Sequence, residues 1–227
     1  SSAIAGAVTT GYGNDSLVMS GSRISTDVAT GYGADVVSIA SSSSVVGDLT
    51  TGDNTANDGA DSITVSSSTI SGSVDAGGGA DTVNLSSATI GTGSQTLRLG
   101  TDTNSSDGAD LLLASGSSIN ASVVTGAGSD TINLSLSTRV SGDVTLGIEG
   151  DTNGTGADVL TLNASTITGA VQTGSAADSV DLAAGSSIGG SVTLGTDVNT
   201  DAADTLNLAS SAIAGAVTTG YGNDSLV

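Results

Sequence analysis

Aliphatic and polar residues alternate along this chain in short segments that return at a regular phase. Each segment begins with an aspartate, and aliphatic residues stand two and four positions after it, as Ile63 and Val65 do after Asp61. Alternation with a period of two predicts a β-strand with one buried face. A corner rich in Ser, Thr and Ala follows. A second segment of the form Ile-x-Gly/Ala/Ser-x-Val, as in residues 70–74, then predicts another short strand.

The aspartates that open these segments, called anchor aspartates here, divide the chain into repeating units. They are Asp15, Asp35, Asp61, Asp81, Asp110, Asp130, Asp158, Asp178, Asp204 and Asp224. A unit of two short strands cannot bury its apolar face alone, whereas units stacked in register bury a continuous aliphatic column. We therefore predict an all-β, parallel β-solenoid, similar to a β-roll, with two short strands per coil of 20 to 29 residues.

A longer repeat encloses the short one. Residues 1–18 are identical to residues 210–227, and about nine coils fill the 209-residue period between them. We expect residues 1–227 to form one continuous solenoid, with 1–209 as one long tandem repeat and 210–227 as the start of the next. Identical repeats along one axis, in a filament or giant array, are then the expected partners. An antiparallel sandwich of hairpins is the alternative fold, but it would not require a Gly-Asp turn at the same phase in each unit.

The composition removes most catalytic chemistry. The chain has no Pro, Cys, His, Trp, Phe or Lys, and 23 acidic residues stand against three arginines. Without Cys or His there is no zinc site of the usual kind, no imidazole base and no thiol nucleophile. A net charge of -20 without a basic patch argues against nucleic acid and anionic membranes, and no apolar run is long enough for membrane insertion. We expect no enzyme activity, and cations as partners.

Glycine-rich turns precede the anchor aspartates, as in the segment Gly11-Tyr12-Gly13-Asn14-Asp15. The glycines of the first four such short turns are Gly11 and Gly13, Gly31 and Gly33, Gly77 and Gly79, and Gly126 and Gly128. These turns resemble the nonapeptide Gly-Gly-x-Gly-x-Asp-x-aliphatic-x of the repeats-in-toxin (RTX) family. The resemblance implies a calcium-binding β-roll in which the anchor carboxylates and the carbonyls of the turn glycines coordinate Ca²⁺.

The resemblance has departures. Thr or Ala stands before the first glycine of each short turn, where the family has another glycine, and the motif returns once per coil instead of every nine residues. The turn before Asp178 reads Gly174-Ser175-Ala176-Ala177 and lacks its second glycine. The pattern therefore implies one calcium column instead of two, and it puts the site at Asp178 in question.

The position of the anchor aspartates in the alternating pattern predicts the same chemistry independently of the RTX resemblance. Each anchor is separated from the inward aliphatic residues by two and four positions, so its carboxylate is expected on the same, inner side of the chain. Stacked coils would place like charges about 4.8 Å apart, and a divalent cation with oxygen ligands removes their repulsion. The alternative is that Gly, Asn and Asp occur only because tight turns favour them.

Longer turns form a second group of candidate ligands. Their acidic and amide residues are Asp53 and Asp58, Asp102, Asn104 and Asp107, Asp151 and Asn153, and Asp197, Asn199 and Asp201. Alternating carboxylate and amide oxygens suit a hard cation such as Ca²⁺. A solvated acidic loop explains the same residues equally well, and both interpretations stay open.

The leading functional hypothesis is structural. We expect a calcium-stabilised repeat segment of an extracellular bacterial filament, surface layer or giant adhesin, which folds after export to the cell surface, where calcium is abundant. A calcium-dependent β-helix enzyme that modifies polysaccharides is one alternative, although no basic or aromatic cleft is evident. An ice-binding solenoid is the other. It would favour Thr between the glycines of the short turns, and those positions hold Tyr, Tyr, Gly, Ala and Tyr.

Overall fold

The computed structural model describes residues 2–53, 58–100, 107–147, 156–195 and 201–227. Within these ranges the chain winds as a parallel β-solenoid. Every strand pairing is parallel and joins one coil to the next, as when Thr82–Ser86 pairs with Ser62–Ser66 on one side and Leu111–Ser115 on the other. The predicted solenoid is confirmed, and the antiparallel sandwich is excluded.

The first sheet contains the strands that follow the anchor aspartates. Its ten strands lie in chain order across the sheet, because each coil adds one. They are β3 (Ser16–Ser20), β6 (Val36–Ala40), β9 (Ser62–Ser66), β12 (Thr82–Ser86), β14 (Leu111–Ser115), β16 (Thr131–Ser135), β19 (Val159–Asn163), β22 (Ser179–Ala183), β25 (Thr205–Leu208) and β28 (Ser225–Leu226).

The second sheet closes the other side of each coil with two rows of shorter strands. The first row is β1 (Ala3–Ile4), β4 (Arg23–Ile24), β7 (Ser44–Val45), β10 (Thr69–Ile70), β13 (Thr89–Arg98), β15 (Ser118–Val124), β17 (Arg139–Val140), β20 (Thr166–Ile167), β23 (Ser187–Ile188) and β26 (Ala212–Ile213). The second row is β2 (Val8–Tyr12), β5 (Val28–Tyr32), β8 (Leu49–Thr50), β11 (Val74–Asp75), β18 (Val144–Thr145), β21 (Val171–Gln172), β24 (Val192–Thr193) and β27 (Val217–Thr218).

A bend divides the second predicted strand in most coils, so that these coils carry three strand segments instead of two. Among the described residues, only β13 and β15 run through the bend, and β13 does so with a bulge between Ile90 and Gln95. The Gln95 side-chain oxygen accepts the backbone N–H groups of Thr92 and Gly93 within that bulge. Extra residues of this coil are thus turned outward, and the register of the core residues on either side is kept.

The core is a set of aliphatic columns that run the length of the stack. Ile63 and Val65 of β9, Ile70 of β10 and Val74 of β11 are all 0–1% exposed, and equivalent residues lie above and below them in neighbouring coils. The alternation predicted from the sequence is therefore the alternation of buried and outward residues. Small aliphatic side chains suffice because the two sheets leave only a thin interior.

The corner after each first-sheet strand takes a left-handed backbone conformation. The residue six positions after the anchor has a positive φ in nine successive coils, including Ser67 (46°), Ala164 (50°) and Leu136 (52°). Such residues seldom adopt this region, so the stacking of coils imposes it. Hydrogen bonds along the stack hold the corner, as when Ser67 N–H donates to the Ser86 carbonyl at 2.9 Å.

Candidate cation-binding column

The anchor aspartates form one ladder through the solenoid, and its members from Asp35 to Asp204 are buried. The backbone N–H of each anchor donates to Oδ1 of the anchor in the next coil, at 2.7 to 3.1 Å, without a break from Asp15 to Asp224. Asp35 and Asp130 are 0% exposed. The predicted inward orientation is confirmed, and one oxygen of each carboxylate is used to satisfy a backbone donor of the neighbouring coil.

The second carboxylate oxygen has a different environment. Oδ2 of Asp35, of Asp81 and of Asp110 is buried and accepts no hydrogen bond, which is costly for a charged acceptor. Burial, reinforced by neighbouring carboxylates, raises the pKa of Asp81 to about 8, of Asp110 to about 10 and of Asp158 to about 9. The column therefore favours either a proton or a compensating cation on these groups.

Buried threonines lie just before several of the turns. The hydroxyl of Thr30 donates to the Thr51 carbonyl at 3.1 Å, and the hydroxyl of Thr125 donates to the Leu146 carbonyl at 2.9 Å. Thr51 lies against the Asp61 carboxylate, where its hydroxyl partly offsets the effect of burial on the Asp61 pKa. Hydroxyl oxygens therefore line the same interior as the carboxylates. In the sequence, Thr30 and Thr125 were noted only because they stand where the RTX pattern has a glycine.

The turn glycines have positive φ values. Gly31 and Gly33 have φ values of 105° and 117°, which glycine reaches without strain. A Cβ added at Gly31 would fall on the carbonyl oxygen of Gly11 in the coil below. The glycines are therefore required by turn shape and by close stacking, whereas coordination of Ca²⁺ by their carbonyls stays a prediction.

The turn that lacks its second glycine keeps the common shape. Ala176 takes a φ of 123° in place of glycine. Asp178 N–H donates to Asp204 Oδ1 at 2.8 Å, and Asp178 Oδ1 accepts Asp158 N–H at 2.9 Å. The missing glycine therefore costs local backbone strain and does not interrupt the ladder.

The long turns contribute a second set of carboxylates, each three residues before an anchor. Asp58 Oδ2 accepts Gly78 N–H at 3.1 Å, and Asp107 Oδ2 accepts Ala127 N–H at 2.9 Å. Asp201 Oδ2 accepts Tyr221 N–H at 2.5 Å. Each carboxylate thus crosses a coil boundary and satisfies the middle residue of the next short turn. The structure gives these three residues a cross-coil hydrogen-bonding role, so they are not merely solvated loop residues.

The other long-turn candidates comprise one described residue, Asp53, and six residues outside the described ranges. Asp53 lies beside the Tyr32 hydroxyl, where its carboxylate raises the pKa of that tyrosine. The predicted ligands Asp102, Asn104, Asp151, Asn153, Asp197 and Asn199 lie outside the described residues. In the described part of the chain no three acidic side chains converge on one point, so backbone or hydroxyl oxygens would have to complete the shell of a bound cation.

A second aspartate ladder was missed by the sequence reasoning. Asp27, Asp48 and Asp143 lie on the exposed bend between the two rows of the second sheet. Asp27 Oδ1 accepts Asp48 N–H at 3.0 Å, and Asp48 Oδ1 accepts Ser73 N–H at 2.7 Å. The signal was present, since each of these residues stands 12 or 13 positions after an anchor.

Comparison with known proteins supports the fold. The chain is similar to the X-ray crystal structure of a hyperactive, Ca²⁺-dependent, β-helical antifreeze protein from an Antarctic bacterium, with a TM-score of 0.61 and 22% sequence identity. The match covers 96% of this chain and 65% of that one. No protein-family model and no curated protein matches, so the RTX resemblance gains no support there. No helix in the described ranges is long and apolar enough to cross a membrane. At this identity the likeness establishes a shared parallel β-helical architecture.

Proposed function

We propose that this chain is a calcium-stabilised structural segment of an extracellular bacterial filament, surface layer or giant adhesin. The observation that carries the proposal is the buried anchor column, in which Oδ2 of Asp35, of Asp81 and of Asp110 lacks a hydrogen-bond partner. A solenoid that only needed to cap backbone donors could do so with one oxygen per coil, as Asn would. Carboxylates at these positions supply a negative charge that a cation can use.

The donor set fits a hard divalent cation. Anchor carboxylates, threonine hydroxyls and turn carbonyls are all oxygen donors, which Ca²⁺ accepts in flexible arrangements of six to eight ligands. Within a coil pair, the second oxygens of two successive anchors and the carbonyls of the turn glycines would hold the ion. When bound, Ca²⁺ neutralises the repulsion between stacked carboxylates and removes the cost of burying them.

The chemistry suits a protein that folds after export. At low free calcium, folding would have to bury the carboxyl groups of Asp81, Asp110 and Asp158 in their protonated form, which weakens the folded state near neutral pH. At extracellular calcium, ion binding adds its free energy to folding. The antifreeze protein of similar fold is described as Ca²⁺-dependent, which supports the proposal by fold analogy.

The internal identity of residues 1–18 and 210–227 supports a role along one axis. β28 pairs with β25 in the same parallel register that joins the other first-sheet strands. Repeats of the same sequence could therefore continue the stack without a change of register. Nine coils would add a rise of roughly 43 Å per long repeat at about 4.8 Å each, a spacing that electron microscopy of assembled material can measure.

Calcium removal tests the central proposal. Circular dichroism in excess EDTA at pH 7.5 should show loss of β signal or a large fall in melting temperature. Ca²⁺ should restore both, and Mg²⁺ should do so far less because it demands rigid octahedral geometry. The Asp181→Asn variant, which changes an outward carboxylate of β22, is the matched control and should respond like the parent. An EDTA melting curve equal to the calcium curve would refute the proposal.

Ice binding is a second candidate, favoured by the description of the similar structure as an antifreeze protein. The middle residues of the described short turns are Tyr12, Tyr32, Gly78, Ala127, Ser175 and Tyr221. These positions offer no threonine rank for an ice lattice, so we place this function second. Thermal hysteresis of the calcium-loaded protein would decide between the two functions.

A further inference from the structure

The outer face of the first sheet is nearly free of charge, although the chain carries a net charge of -20. Residues one, three and five positions after each anchor point outward from its strands, and they are mostly Ser, Thr, Asn, Val, Leu and Ala. In the ten strands of this sheet the one charged outward residue is Asp181, which accepts a hydrogen bond from Asn207. Acidic residues are concentrated instead at the turns and at the exposed bend.

The centre of this face has an apolar residue beside a shallow groove. Leu113 lies in β14, the fifth of the ten strands, and its side chain is 38% exposed. The groove has a volume of about 360 Å³, and its lining includes Thr64, Asn84, Leu113 and Asn133. An exposed leucine side chain and a shallow groove thus lie together near the middle of this sheet face.

We infer that two copies of this chain pair face to face through the outer surfaces of their first sheets, with Leu113 near the two-fold axis. Both copies carry the same large negative charge, so an uncharged face is the surface on which they approach with least repulsion. A two-fold contact uses the same patch on both copies, and centring it on β14 overlays the full length of both sheets.

The area of the face is sufficient for a stable contact. Ten strands spaced about 4.8 Å apart, eight of them five residues long, cover at most about 43 Å by about 16 Å, or about 700 Å² per copy. The pair would bury about 1,400 Å² in total, within the range of specific protein interfaces. Small outward side chains allow the close packing that face-to-face sheets require.

This inference deepens the proposed structural role and rests on it, because lateral pairing would thicken a filament or join solenoids within a layer. Its test is separate from that of calcium binding. All measurements are made in saturating Ca²⁺, and circular dichroism checks that each variant is folded. If the protein does not dimerise, the effect of EDTA on its stability is unchanged. If its stability does not depend on calcium, its oligomeric state can still be measured.

Sedimentation velocity over a concentration series tests the pairing. The parent should form a dimer, and the double variant Asn84→Asp/Asn133→Asp should associate at least tenfold more weakly because it faces like charge with like charge. Asp181 occupies the equivalent outward position of β22, so Asp is compatible with the fold there. The matched control Thr69→Asp/Thr166→Asp adds the same charge to the second sheet and should dimerise like the parent.

Cross-linking then locates the contact. The chain has no cysteine, so the single variant Leu113→Cys should be joined to a second copy by a short bismaleimide, whereas Thr166→Cys should not. A parent that stays monomeric at all concentrations would overturn the inference. Equal weakening by the two double variants would overturn it as well. So would a monomer that is captured through this face by ice or by an insoluble polysaccharide.

Discussion

The solenoid contains two aspartate ladders that make the same hydrogen bond in different surroundings. In the anchor column, Asp110 Oδ1 accepts the N–H of Asp81 in the adjacent coil at 2.7 Å. On the bend, Asp48 Oδ1 accepts the N–H of Ser73 in the adjacent coil at the same distance. The eight anchors from Asp35 to Asp204 are buried, whereas Asp27, Asp48 and Asp143 are exposed.

A stacked carboxylate can cap a backbone donor of the next coil, and it can also place a negative charge inside the solenoid. The bend shows that an aspartate can cap a neighbouring backbone donor while its charge stays in water. The anchors perform the same capping with their second oxygen withdrawn from solvent, which adds a cost that the hydrogen bond does not require. A buried column of this kind needs a compensating partner, and that need distinguishes a candidate cation site from a structural ladder.

The largest expected effect is a reversal of the pH dependence of stability. Without calcium, the folded pKa values of Asp81, Asp110 and Asp158, about 8, 10 and 9, lie above the ordinary value of 3.8. Folding then takes up protons, so this contribution is complete below about pH 4 and is lost as pH rises through the folded values. With calcium the carboxylates must be ionised, so binding strengthens as pH rises.

Melting temperatures between pH 4 and pH 9, in EDTA and in Ca²⁺, measure this reversal. The EDTA series should fall with rising pH, and the calcium series should rise or stay level. The exposed carboxylates of the bend are common to both series and therefore cannot produce opposite slopes. Parallel slopes would mean that the anchor column behaves like the bend.

A smaller effect is expected from single amide substitutions. Asp110→Asn keeps an Oδ1 acceptor for the Asp81 N–H and removes the charge and the second carboxylate oxygen. In calcium it should destabilise the protein by about 1–3 kcal/mol, as expected for a lost charged interaction. In EDTA at pH 7 it should stabilise the protein, since folding no longer has to protonate a carboxyl group.

Asp48→Asn is the matched change on the bend and should be nearly neutral under both conditions. Chemical denaturation of the two variants with and without calcium provides the comparison. If Asp110→Asn were neutral in calcium, the anchor ladder would be a capping device only.

The smallest expected effect concerns the turn that supports one anchor. Ala176 has a φ of 123°, where its short-turn counterpart Gly79 has the same value. Ala176→Gly should relieve strain and stabilise the protein by about 1 kcal/mol, which corresponds to roughly 2–4 °C in melting temperature for a chain of this size. Gly79→Ala should act in the opposite direction, because the added Cβ would press on the Gly59 carbonyl oxygen. A destabilised Ala176→Gly variant would show that the unfolded chain, which glycine loosens, dominates the effect.

The repeating unit, the parallel stack and the inward direction of the anchors could all be predicted from the amino-acid sequence. This was possible because a strict period of two, interrupted by glycine turns at one phase, is compatible with few ways of burying aliphatic residues such as Ile63 and Val65. The inward direction of the anchors followed from the same alternation, because residues two positions apart lie on the same face of a strand.

What the neighbouring coil provides became visible only in the folded chain. The N–H of Asp81 meets Oδ1 of Asp110 across 29 residues, and Asp58 reaches the turn of the next coil at Gly78. The left-handed backbone at Ser67 opposes the local conformational preference of serine. The bend that divides the second strand was not indicated by the local sequence pattern. These features depend on contacts between residues distant in sequence, which hold a backbone conformation that local propensity alone would not select.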